Sequence, residues 1–192
     1  IDVPKPRYVY QGKQGTVFVA STSHVWCMKM VPISAQLPQL LRDRQFELAI
    51  TLSNMCEDTV DDKAKRVHKI KTLHGFDLFC NYKFKEAMNI FFQLDIDPSH
   101  VIGLFSDLLP QDYRNKLCYP GKLPILQGVN LENAIMSLIE YLTKVKHSHK
   151  SNNDSIALET YPIVEGTTTV KFKKQLLQIV DTTLLKCYLK TI

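Results

Sequence analysis

The stretch LLRDRQFELAITL, residues 40–52, returns further along the chain as LFCNYKFKEAMNI, residues 78–90. At a constant spacing of 38, Leu40 pairs with Leu78, Leu41 with Phe79 and Asp43 with Asn81. Phe46 then pairs with Phe84, Ala49 with Ala87 and Leu52 with Ile90. A period of roughly 20–50 residues marks stacked supersecondary units, each of which buries its apolar face only against a neighbour. The expected fold is therefore mostly α, an α-solenoid of helical hairpins. Its packing positions are Leu40, Leu41, Phe46, Ala49 and Leu52 in one copy and Leu78, Phe79, Phe84, Ala87 and Ile90 in the other. The plainer reading is two ordinary amphipathic helices within one helical domain.

Upstream of the repeat the pattern changes. RYVYQ, TVFVAS and HVWCMKMV are short runs rich in Val, Phe, Tyr and Trp, separated by QGKQG and by Thr22–Ser23. They predict two or three antiparallel strands. A lone ribbon of this size is barely stable in water, so it is expected to complete a sheet made by residues outside this chain or to fold onto the helices. From VPIS the period lengthens, with Ser34 as a cap, Pro38 in the first helical turn and Leu37, Leu40 and Leu41 on the apolar face.

Downstream, EDTVDD (57–62) places negative charge before a basic helix, as the helix dipole favours. That helix is expected to run through Leu73, Phe76 and Phe79, and its partner from Phe84 to Leu94. Asp97 and Pro98 start a short helix that ends near Pro110, and Pro120, Gly121 and Pro124 break any longer element. Asn130 caps a long helix carrying Leu131, Ala134, Ile135, Leu138, Leu142 and Val145. Residues 146–169 read as a mobile loop, and a last helix from about Lys171 to Leu189 shows Leu177, Val180, Leu184 and Tyr188 on one face, with Leu176, Ile179 and Cys187 beside it.

The composition is that of an ordinary globular protein, 45% hydrophobic and 22% charged. No apolar run approaches the roughly 18 residues of a membrane span, and IDVPKPRYVY lacks the basic and apolar regions of a signal peptide. The chain does not begin with Met, which suggests an excised or processed segment. Cys27, Cys56, Cys80, Cys118 and Cys187 form no C-x-x-C pair and none has a His at metal-ligand spacing, so they read as buried, reduced thiols of a cytosolic protein. The net charge of +5 is mild. Its clearest cluster, KAKRVHKIK (63–71), offers Lys63, Lys65, Arg66, Lys69 and Lys71 to an acidic partner or membrane. Val67, Ile70, Leu73 and His74 share that helix, so these cations also read as its solvated face. Smaller basic clusters lie at Lys144–Lys150 and Lys171–Lys174. No aromatic stacking positions accompany any of them, which argues against nucleic acid.

Enzyme signatures are weak. His147 and His149 form an H-x-H without a third ligand, His68 and His74 fall on different faces of a helix, and Asp181, Thr182 and Thr183 read as ordinary helix positions. Neither a phosphate-binding G-x-x-x-x-G-K-[ST] nor a G-x-G-x-x-G occurs. The expectation is a non-enzyme without cofactor or metal.

Three longer stretches, QLLRDRQFELAITLSNM, DPSHVIGLFSDLLPQDYRNKL and KKQLLQIVDTTLLKCYL, resemble in order the vacuolar protein sorting subunit thirty-nine, or Vam-six-like, family. TVFVASTSHVWCMKMVPISAQLPQLL resembles the passage in that family from a citron-homology β-propeller into clathrin-heavy-chain-like repeats. The resemblance implies last propeller strands at 1–31, solenoid repeats at 32–145, the loop at 146–169 and a further solenoid helix at 170–192. It implies a subunit of the HOPS tethering complex, cytoplasmic and peripheral on late endosomes and lysosomes. Such a subunit supports fusion of late endosomes, autophagosomes and lysosomes in vesicle-mediated protein transport. The implied partners are the other HOPS subunits and a late-endosomal Rab GTPase, the latter met in the family by the propeller region. The segment is expected to be a scaffold; the alternative is a docking module whose basic helix binds a Rab or acidic membrane. A related paralogue, the transforming-growth-factor-β-receptor-associated protein, shares the layout, but DPSHVIGLFSDLLP resembles the Vam-six-like group more.

Overall fold

The structure is a computed structural model and describes residues 5–13, 15–109, 111–149, 160–171 and 173–191, with the side chains of residues 111 and 112 not described. They divide into two compact units, Ile1–Glu57 and Asp58–Ile192. Mostly helical, the chain opens on a short antiparallel sheet.

In the first unit, strands β1 (Tyr8–Gln11), β2 (Val17–Ala20) and β3 (Val25–Met28) form a meander in the order β1-β2-β3. Val9 faces Val19 across β1 and β2, and Val19 faces Trp26 across β2 and β3. The turns close through Gly12 N–H to the Thr16 carbonyl and Ser21 N–H to the His24 carbonyl. Only Val19 of the sheet is buried, and Tyr8, Val9 and Tyr10 are each at least 70% exposed. β1 is thus open on both faces, so the packing onto helices that would have shielded it is not made there.

Helix α1 (Ile33–Arg42) then packs against α2 (Phe46–Asn54). Its N-cap is Pro32, not Ser34, which lies inside the helix. Pro38 therefore falls in the second turn rather than the first, where its missing N–H leaves the Ser34 carbonyl without an i−4 partner. Leu37, Leu40 and Leu41 are half-buried.

The second unit begins with α3 (Val60–Cys80), capped by Thr59, whose hydroxyl accepts from Asp62 N–H while Asp61 and Asp62 occupy the positive first turn. The later elements are α4 (Phe84–Gln93), α5 (Pro98–Ile102), α6 (Gln111–Arg114), α7 (Gly128–His149) and α8 (Lys173–Thr191). α3 packs on α4, α4 on α7 and α7 on α8, while α5 lies against α7 and α8. The core runs through these layers, with Phe79, Phe91, Ile102, Leu138, Leu142 and Val180 almost wholly enclosed. Gly75 lets α3 and α4 approach closely, because a Cβ there would stand 2.9 Å from Phe91 Cε1.

Several boundaries differ from the sequence reading. α5 stops at Ile102 rather than near Pro110, because Gly103 is wedged where a Cβ would meet Leu117 and Tyr119 at 2.4 Å and the bonds tighten to Leu104 N–H on Val101 and Phe105 N–H on Ile102. The short α6 has no apolar period to announce it. α7 starts at Gly128, so Asn130 lies within its first turn. It also continues past Val145 to His149, with Lys146, His147 and His149 in its last turn, where the helix dipole favours positive charge. Residues 146–149 are thus helix rather than loop. On α8 the buried stripe is Leu176, Val180, Thr183, Leu184 and Cys187, whereas Leu177 is half-buried and Tyr188 is exposed. No disulfide joins the cysteines, but only Cys56 and Cys187 are buried; Cys80 is half-buried, and Cys27 and Cys118 are exposed, since each sits on an outward strand or loop position.

Gly75→Ala gains about 1 kcal/mol of helix propensity and loses more by pushing on the enclosed Phe91 ring, so a net destabilisation is expected in a thermal melt.

Candidate functional site

Proteins that act by packing carry their function in the turns that set helix against helix. α1 ends at Arg42 and, after three intervening residues, α2 starts at Phe46; α3 ends at Cys80, and α4 starts at Phe84 after the same interval. The middle residues, Arg44 and Tyr82, both hold positive φ, 56° and 63°. Gln45 N–H donates to the Leu40 carbonyl at 2.8 Å and Lys83 N–H to the Leu78 carbonyl at 2.9 Å. Arg44 N–H reaches Leu41, and Tyr82 N–H reaches Phe79. Each turn carries the six-to-one closure of a left-handed helix cap, and both of these bonds recur at the spacing of 38.

The side chains keep the arrangement while exchanging chemistry. Gln39 Nε2 donates to the Asp43 carboxylate across the first helix end, whereas Asn81 Nδ2 donates to Asp77 across the second, so donor and acceptor have swapped places. Phe46 and Ala49 are buried on α2 as Phe84 and Ala87 are on α4, and Ser53 is buried where α4 has Phe91. Phe84 stands edge-on to Phe79 at 5.2 Å and to Tyr82 at 6.0 Å. Leu78 and Phe79 are buried, Leu40 and Leu41 half-buried, and Leu52 and Ile90 half-buried.

A third left-handed residue, Asp95 (φ 49°), ends α4, with Ile96 N–H donating to the Phe91 carbonyl. Beyond it lies a polar junction. The wholly buried Asp97 caps α5 by accepting from Ser99 N–H at 2.8 Å and Ser99 Oγ at 2.7 Å. Its other oxygen accepts from Thr160 Oγ1 at 3.4 Å and from Val170 N–H. Asp97 N–H donates to the Tyr161 carbonyl, and Tyr161 N–H to the Asp95 carbonyl, forming a parallel bridge. Tyr141 Oη donates to the Ile96 carbonyl and Tyr119 Oη to the His100 carbonyl. Burial pushes both phenols upward, with Asp97 and Asp95 adding to the rise at Tyr141, so each remains a donor at any physiological pH. The cap was readable from Asp97–Pro98; its bonds to residues 160–170 were not, because they join positions more than 60 apart.

The histidines serve this junction. His68 Nε2–H donates to the Leu94 carbonyl at 3.1 Å with its ring 4.6 Å from Tyr161, and His100 Nε2–H donates to the Thr168 carbonyl at 3.2 Å. His149 is held below its ordinary value by burial, which the nearby Asp95 opposes. His147 and His149 lie in the last turn of α7 rather than in a loop, and among the described residues no group of three metal-ligating side chains converges.

The five cations of α3 are not equivalent. Arg66 pairs with Asp58 at 2.6 Å and Lys69 with Glu165 at 3.1 Å. Lys63 is half-buried, while Lys65 and Lys71 are exposed. Lys65, His68 and Lys69 border a 280 Å³ cleft against Tyr161 and Pro162. Asp181 pairs with Lys146, Thr182 Oγ1 donates to the Gln178 carbonyl and Thr183 is buried, so the three are helix positions without a shared site.

Phe84→Ala is expected to cost about 3–5 kcal/mol in denaturant unfolding. Asp97→Ala strands several buried donors and should lose about 2–4 kcal/mol, with faster amide exchange at Val170.

No family model matches the chain, and no solved structure does. Curated proteins do. The chain is 47% identical to the Vam6/Vps39-like protein of Homo sapiens over its full length, which is 22% of that protein. It is 36% identical to the vacuolar protein sorting-associated protein 39 homolog of Drosophila melanogaster over 99% of this chain and 20% of the relative. Transforming growth factor-beta receptor-associated protein 1 of Mus musculus is 25% identical over 82% of this chain and 20% of its own length. The chain thus spans about a fifth of the relatives it matches, and it belongs to the Vam6/Vps39-like family.

Proposed function

We propose that the chain is a scaffold segment of an endosome and lysosome tethering subunit of the HOPS type, supporting late endosome, autophagosome and lysosome fusion. The observation that carries this reading is the helix-to-helix turn whose left-handed residue and two closing backbone bonds recur at a spacing of 38. A device that repeats backbone geometry while exchanging side-chain chemistry serves stacking, and stacking holds binding ends apart. On this reading residues 1–31 are the last strands of a propeller, whose open β1 meets further strands; 32–145, with α7 running on to His149, and 170–192 are repeats, and the residues between connect them. The ten residues of the repeat pack it, the partners are other HOPS subunits, and the chain works as a non-enzyme, peripheral on the cytoplasmic side of endolysosomal membranes.

The second reading makes the basic face of α3 a docking surface for a Rab GTPase or acidic membrane. It is the weaker one, because Arg66 and Lys69 already hold carboxylates of this chain.

In a pull-down, the folded chain should retain other HOPS subunits and should not retain a late-endosomal Rab in its GTP form more than in its GDP form. GTP-dependent capture that Lys65→Glu with Lys71→Glu abolishes would favour the docking reading instead.

A further inference from the structure

Three clefts join along α8. The first, 390 Å³, lies between residues 104–108 and 123–127 and reaches Lys190. The second, 320 Å³, shares Leu108 with it and continues past Lys186 and Thr182. The third, 260 Å³, shares Tyr113, Gln175 and Ile179 with the second and ends at Lys171. Along α8 the lining positions Gln175, Ile179, Thr182, Lys186 and Lys190 step by three or four, with Gln178 and Thr183 beside them, so one helical face forms a wall of the trough. From Gln175 to Lys190 that wall is roughly 22 Å long.

The floor is apolar, set by Leu104, Phe105, Leu108, Leu109, Leu117 and Ile179. The rim is cationic, with Arg114, Lys116, Lys171, Lys186 and Lys190. Arg114 donates to the Ser106 carbonyl and Lys186 to the Leu108 carbonyl, contacts that orient the cations without neutralising them. Among the described side chains lining the three clefts the one carboxylate is Asp107, exposed and 3.6 Å from Lys190. Asp181 of α8 is committed to Lys146 on another side.

We propose that this trough is a docking groove for an acidic amphipathic helix of a partner protein. An apolar floor parallel to a helix takes the apolar stripe of a second helix, with anchors repeating at three and four residues. The flanking cations select Glu and Asp on the edges of that stripe and repel basic helices. About 15 residues, some four turns, match the length. The groove is built from residues 104–108, 113–117, 123–127 and 168–171 and from α8, to which the scaffold reading assigns no surface role, and failure of the groove would leave that reading standing.

The test uses the intact 192-residue chain and a fluorescein-labelled peptide of about 15 residues, Leu at every third or fourth position and Glu on both flanks. A second peptide carries Lys in place of Glu. Anisotropy should show binding of the Glu peptide alone, weakened by salt. Lys186→Glu with Lys190→Glu should weaken it by at least about tenfold, while Lys63→Glu with Lys65→Glu on α3 leaves it unchanged. Circular dichroism checks folding; if the charge-reversed chain melts, Lys186→Gln with Lys190→Gln replaces it, with a smaller loss expected. Equal binding of both peptides, undiminished binding after charge reversal, or no binding by folded chain would overturn the proposal. So would self-association that the same charge reversal abolishes, since the occupant would then be a second copy.

Discussion

A single left-handed residue between two helices governs this architecture. It costs about 1 kcal/mol at a non-glycine residue, yet it reverses the chain within three residues and lets the six-to-one bond satisfy a carbonyl that the helix end would otherwise leave open. Arg44, Tyr82 and Asp95 each accept that strain. In the first two cases the reversal delivers a phenylalanine as the first residue of the next helix, Phe46 or Phe84, and a small alanine three positions on lets the neighbouring helix come close. Packing order, core position and the place of the aromatic cluster follow from that start.

The third reversal leads somewhere else. Instead of another long helix, Ile96 and Asp97 run extended and take Tyr161 as a parallel neighbour. Burying a carboxylate is costly unless its oxygens are satisfied, and Asp97 meets that condition with donors from α5 and from residues 160–170 together. One side chain therefore ties the connection before α8 to the junction after α4. Tyr119 and Tyr141 add permanent donors to the His100 and Ile96 carbonyls, which no regular helix bond reaches at this junction.

The helices were legible because their information is local. The acidic EDTVDD before a basic run, Asp97 before Pro98 and the change of period after VPIS all announce helix starts within a few residues. The recurrence of LLRDRQF as LFCNYKF disclosed the turn without its φ angle, since an Arg and a Tyr do not advertise a left-handed conformation as glycine does. What escaped depends on distant partners. The last turn of α7 carries on after its apolar positions end, supported by Lys146 reaching Asp181, and the anchoring of residues 160–170 rests on Asp97. The trough along α8 was hidden for the same reason: its cations lie in separate stretches, and of them only Lys171 falls within a basic cluster of the sequence.

The distribution of enclosed apolar side chains has a thermodynamic reading of its own. Among the described residues, those of Ile1–Glu57 are Val19, Phe46, Ala49 and Cys56, while the others belong to Asp58–Ile192. A unit with so few cannot match the stability of one with a layered core, so the two need not lose structure in concert. Heat would open the strands and first hairpin as a separate, earlier event, and one melting temperature would describe only the larger, second unit.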